Sequence, residues 1–150
     1  MVDVYRAPMR SRDDRVNPQA SLERALRSNL VGFGCAGADH RLPRRIERLA
    51  DVADGSFVWT RDADGRYWLG RITGAYFHDD SVAAAAVDVV HVRPCRWTDE
   101  PVPEPLVPPA VVATFGRGGR NFQQTHSPTV GAETARAWDC VVSQANCKPH

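Results

Sequence analysis

Lysine is all but missing from this sequence. Of nineteen basic residues eighteen are arginine, and Lys148 is the other. With its one lysine in the tail, the chain offers no acid-plus-lysine constellation for catalysis. Cysteine is sparse as well. Cys35, Cys95, Cys140 and Cys147 form no CxxC pair, and none has a histidine at ligand spacing. Four free thiols and no structural metal are expected. Long apolar runs are absent, which excludes a membrane-spanning helix. The opening "MVDVYRAPMRSRDDR" lacks the apolar segment of a secretory signal. A cytoplasmic protein without cofactor is the expectation. No repeat or low-complexity tract is present.

The chain has 150 residues, the size of one domain and enough to bury a core without covalent staples. Net charge is +1, but unevenly spread. Residues 1–50 hold ten arginines against six acids, and residues 51–100 hold five against nine. Arginine is the better fork for phosphate, although a GC-rich coding bias produces the same ratio. A basic footprint over the whole domain, the usual mark of a nucleic-acid binder, is absent.

Asn17 and Pro18 are a cap and first-turn pair for a helix whose stripe is Leu22, Ala25 and Leu26. The charged segment before it reads as loose. "LVGFGCAG" is a short strand or a loop of close approach. "DHRLPRRIERLADVADG" predicts a second helix with Ile46, Leu49 and Ala50 on one face, stopped by Gly55. Phe57–Arg61 and Arg66–Thr73 are strands around the turn "DADG", where Gly65 is free to turn left-handed. "AYFHDDSVAAAA" is an excursion, and "VDVVHVRPCRW" a third strand ending at Pro94. A proline-rich connector, "TDEPVPEPLVPP", is a stiff linker or a polyproline ligand. A short helix follows in "PPAVVATFG". "RGGRNFQQTH" is a loop or final strand. The last helix carries Val130, Thr134, Ala137 and Val141 along one side, and its tail reads as frayed. The expected fold is α+β: a small antiparallel, partly closed β-barrel flanked by short helices. Residues 1–30 form an N-terminal helical segment, 31–115 the barrel, and 116–150 a loop and helix packed on it.

Phe57, Trp59, Tyr67 and Trp68 crowd one hairpin. A four-residue turn sets Trp59 opposite Trp68, both indoles on one face. A three-residue turn with a glycine bulge sets Trp59 opposite Leu69 and Trp68 opposite Thr60, splitting them. Core packing is the ordinary use of such rings. The functional alternative is a stacking surface for bases, with Arg61, Arg66, Arg71, Arg93 and Arg96 tracking phosphates. It requires Asp62, Asp64, Asp79, Asp80 and Asp88 to point elsewhere.

Asp54–Val58, Leu69–Gly74 with "ITG", and Val92–Trp97 with "RPCRW" resemble the small β-barrel at the N-terminus of Mrr-like restriction endonucleases, a module related to PUA and EVE domains. Val31–Gly34 resembles its glycine-rich first strand and Val107–Phe115 its following helix. The likeness runs from about Val31 to Phe115. Cys35 stands where the family's first strand usually has tryptophan, and no nuclease part accompanies the barrel in this sequence. The resemblance implies a PUA-like reader of a flipped or modified base in DNA or RNA. The pocket it implies is Phe33, Trp59, Trp68, Tyr76 and Trp97, with Arg71 and Arg93 as charge partners.

Outside that region, Arg117 and Arg120 in "GRGGRNF" offer a phosphate fork or anion nest, against a plain glycine turn. Cys35 with His40, His78, His91 or His126 is the one conceivable nucleophile set, with nothing to fix its geometry. His78–Asp80 is too short to chelate a metal alone. The expected function is a non-catalytic nucleic-acid-binding module. The alternatives are a protein–protein adaptor, docking through the aromatic sheet and Arg44–Arg48, and a small-molecule-binding regulator or enzyme.

Overall fold

The element least visible in the sequence is the first. In the computed structural model, which describes residues 2–147, Val4–Arg6 forms a strand, β1. It runs parallel to β3 (Phe57–Arg61) with Tyr5 beside Val58. The sheet is therefore mixed, not antiparallel, and it draws on residues before Val31. A three-residue strand gives no periodicity to read; it is held by its neighbours rather than by its own pattern.

The remaining strands are β2 (Leu30–Phe33), β4 (Tyr67–Ile72), β5 (Phe77–His78), β6 (His91–Trp97) and β7 (Gln123–Gln124). Their order is β2-β6-β4-β3-β1-β7, with β5 paired to β6. The sheet curls into a half-barrel whose edges are β2 and β7. Trp59 lies opposite Leu69 and Thr60 opposite Trp68. Gly65, at φ +82, supplies the bulge, and the Gly65 amide donates to the Asp62 carbonyl at 3.0 Å. The two indoles thus enter different layers. β6 does not stop at Pro94: the Pro94 carbonyl accepts from the Thr73 amide, and Cys95 pairs with Ile72.

Among the described residues five α-helices cover the sheet. α1 (Pro18–Ser28) has Asn17 accepting from the Gln19 amide and ends on left-handed Asn29. α2 (Leu42–Asp51) buries Leu49 but leaves Ala50 exposed. α3 (Val82–Val87), hidden in the excursion, is capped by Ser81. α4 is Pro109–Gly116 and α5 Val130–Cys147. The segment 143–147 is helical rather than frayed; Lys148 lies outside the described residues.

One core layer joins Phe57, Trp59 and Leu69 to Val111, Ala137 and Trp138 of α4 and α5. The other joins Val58, Ile72, Cys95 and Trp97 to Leu22 and Ala25 of α1. The proline-rich connector lies along the sheet, since the Val102 amide donates to the Tyr67 carbonyl at 2.8 Å. Among the described residues no helix is long and apolar enough to cross a membrane.

Candidate nucleic-acid interface

Between the sheet's free edges the backbones do not pair, and aromatic rings fill the gap. Tyr5 stacks on Phe122, centroids 5.1 Å apart and planes 9° apart. Phe122 meets Phe33 at 6.5 Å, and Phe33 meets His91 at 6.0 Å. His91 stacks on Tyr76 at 6.1 Å, and its Nδ1 lies 2.9 Å from the Tyr76 hydroxyl. His78 stands 5.3 Å from His91. The Arg45 guanidinium lies 4.9 Å above the Phe33 ring. These residues form an arc from β1 to β5, drawn from positions far apart in the chain.

Tyr5 and Phe122 are half-buried and line an open cleft of about 1080 Å³. Arg48 of α2 and Arg117, just past α4, line it with Gln123, Gln124 and His126. Asp51 is its one acid. Stacked rings, two guanidiniums and exposed amides along one cleft suit a base with its phosphates.

The loop that carries Arg117 and Phe122 is wound on a buried cation. Arg6 is 6 % exposed. It donates to the carbonyls of Thr114 at 2.8 Å, Gly118 at 2.7 Å and Asn121 at 3.3 Å. Those carbonyls face Arg6, so the glycine turn is a cradle for arginine. Arg120 is held too: it donates to the Ser11 carbonyl and to Asp14, each at 2.9 Å. It forks no phosphate in this arrangement; Arg117 remains open in the cleft. Burial lowers the Arg6 pKa, and the nearby Arg117 charge lowers it further.

Of the pocket expected from sequence, Phe33 and Tyr76 come together, joined through His91. The others do not. Trp59 is 0 % exposed and its indole donates to Thr134 Oγ1 at 3.2 Å, so no base can reach it. Trp97 is buried with its indole on the Leu30 carbonyl at 2.9 Å. Trp68 is half-buried in a groove beside α1, its indole on Asp62 at 3.0 Å. Arg71 lies over Phe57 and donates to the Gly55 carbonyl. Arg93 is 2 % exposed. It binds the carbonyls of Gly74, Leu49, Ala50 and Val52, and Asp54, capping the end of α2. It is a core strut, not a phosphate ligand.

The acids that had to point away do so in part. Asp62 and Asp64 pair with Arg66, and Asp79 with Arg24 at 2.9 Å. Asp88 is buried, accepting from Ser11 Oγ at 2.6 Å and from the Cys35 amide at 2.9 Å. Any side chain at Gly34 would collide with that carboxylate, which is why the residue after β2 is glycine. Cys35 and Cys140 are exposed free thiols; burial pushes the Cys95 thiol pKa up. Among the described residues no cluster of three metal-ligating side chains occurs.

Sequence reasoning missed Tyr5, His91 and Phe122 as site members. The one signal for Phe122 was its place in "GRGGRNF". No protein-family model matches the sequence, and no curated protein does. Among solved structures the chain is similar to the YTH domain of the Zygosaccharomyces rouxii MRB1 protein, solved in complex with N6-methyladenosine RNA. The TM-score is 0.54 over 93% of this chain and 88% of that one, at 13% identity. The fold is YTH-like. A protein of Agrobacterium tumefaciens is also similar, with a TM-score of 0.41 at 11% identity, over 91% of this chain and 93% of that one. The YTH-like α+β half-barrel agrees with the architecture expected from sequence, apart from its parallel pair.

Proposed function

We propose that this protein is a cytoplasmic, non-catalytic nucleic-acid-binding module that reads a base, flipped or modified, at the aromatic arc. The observation that carries the reading is the half-buried Tyr5–Phe122 stack in a cleft that Arg48 and Arg117 also line. Stacking supplies about 1–3 kcal/mol per base. Gln123 and Gln124 line the same cleft, and their amides match the paired donor and acceptor of an adenine edge. The YTH-like fold adds support, because the similar domain was solved with a modified RNA.

The adaptor reading loses the sheet as its surface, since the sheet's aromatic faces are covered by α1 on one side and by α4 and α5 on the other, and keeps only the exposed Arg44 and Arg48 of α2. The test is fluorescence anisotropy of labelled single-stranded RNA and DNA, with and without modified bases, at low and moderate salt. Binding that weakens with salt and is lost in Phe122→Ala supports the reading. No binding of any polymer at low salt rejects it.

A further inference from the structure

The turn between α4 and β7 carries Arg117 at its start and Phe122 at its end, and one side chain ties both. The Arg6 guanidinium donates to three backbone carbonyls of this turn. Those of Thr114 and Gly118 bracket Arg117 in the chain, and that of Asn121 adjoins Phe122. Among the described residues Arg6 is the only side chain tied to the turn on both sides of Arg117. The other side-chain ties join Arg12 to Asn121 and Arg120 to Ser11 and Asp14. The backbone is left-handed at Gly118, φ +75, and at Gly119, φ +100, where only glycine sits without strain. A Cβ at Gly119 would come within 3.0 Å of Arg6 Nη2. The glycines of "GRGGRNF" thus answer to Arg6.

Arg6 itself stands behind the stack. It pairs with Trp59 and Gln123, whereas Tyr5 pairs with Val58 and Gln124. Successive residues of a strand point to opposite faces. Arg6 therefore turns with Trp59 toward α4 and α5, and Tyr5 turns with Val58 toward the other layer, on which Phe122 also packs. Arg6 does not line the cleft. A guanidinium's rigid fork holds several acceptors at once, and a site held ready in this way loses less freedom on binding. We propose that Arg6 is the positioning residue of the reader: its guanidinium fixes Arg117 relative to Phe122, so that the phosphate and the base of one nucleotide are met together. This rests on the base-reading function proposed above.

The experiment is anisotropy with a single-stranded RNA at several salt concentrations. It compares wild type with Arg6→Lys, Gly119→Ala, Arg117→Ala, and each of the first two combined with Arg117→Ala. Arg6→Lys keeps the charge and loses the fork. Gly119→Ala also keeps the charge and presses on the guanidinium from an exposed turn. It decides alone where Arg6→Lys fails to fold. Each single variant is expected to weaken binding about tenfold and to lower the salt slope by about one. The first two remove no charge, so their lowered slope reads the displacement of Arg117; a merely structural Arg6 would cost stability and leave the slope alone. The combined variants are expected to lower the slope by about one and no more, because the phosphate contact is already gone. A slope unchanged in any folded single variant, with binding still lost in Phe122→Ala, overturns the positioning role and leaves the base-reading function standing. A slope lowered by about two in the combined variants makes the contributions independent and also overturns it. No RNA binding by wild type overturns it together with the base-reading function.

Discussion

The rings of Phe33 and Phe122 lie 6.5 Å apart across the open side of the half-barrel. One is the last residue of the edge strand β2 and the other immediately precedes the edge strand β7. Closure here is by side chains, where a full barrel would use backbone hydrogen bonds. A seam made of rings can admit another flat ring, which a hydrogen-bonded seam cannot. Substituting Phe122 by alanine removes the contact to Phe33 and the stack on Tyr5 together. Base binding is expected to fall about tenfold to a hundredfold, the worth of one stacked base. Phe122 is only half-buried, so the thermal midpoint is expected to fall by a few degrees at most. Anisotropy and thermal melts on the same sample check both.

Trp59→Ala is expected to behave in the opposite way. The indole is fully buried between the sheet and α5, with its N–H on Thr134. Truncation costs about 3–5 kcal/mol for a large aromatic in a core, and it orphans the Thr134 hydroxyl. Urea unfolding is expected to show that loss. Whatever fraction stays folded is expected to bind nucleic acid as wild type does.

Arg93→Met separates a strut from a phosphate ligand. Its guanidinium closes four carbonyls and pairs with Asp54 at 2.7 Å, although that acid is largely exposed. Removal leaves buried carbonyls at the end of α2 without donors. A loss of about 3 kcal/mol or more is expected, with the salt slope of binding unchanged. A lowered slope in the folded variant would return Arg93 to the interface.

How much of this was legible in the sequence depended on distance along the chain. Asn17 with Pro18, the stripe of α5, and Gly65 as the turn residue are local signals, and all stand in the structure. The hairpin register was narrowed to two alternatives, because only the conformation at Gly65 chooses between them. The arc was legible only in Phe33 and Tyr76; Tyr5, His91 and Phe122 join them only once the sheet has curled. Arg93 and Trp97 misled for a related reason. Polar ends that look made for ligands found their partners in the backbone of α2 and β2.

His91 gives the fold an acid limit. Burial, foremost, and then the neighbouring His78 lower its pKa in the folded state, Asp88 opposes them, and Arg45 adds to the lowering. The unfolded chain binds the proton at about 6.5. Between that value and the lower folded one, the unfolded state carries more protons, so stability rises with pH. Stability from this group is complete above about 6.5 and is lost as pH falls toward the folded pKa. Thermal midpoints from pH 7.5 to 5, taken with His91→Gln alongside, are expected to show a fall in wild type that the variant flattens.

The most direct test of the central claim is where a bound base lies. Wild-type protein would be photo-crosslinked to a single-stranded RNA carrying a photoreactive base, digested, and the adducts located by mass spectrometry. Adducts on Tyr5, Phe122 or Phe33, diminished by excess unlabelled RNA, are the predicted result. Adducts on Trp68 in the groove beside α1, with none on the arc, would contradict it.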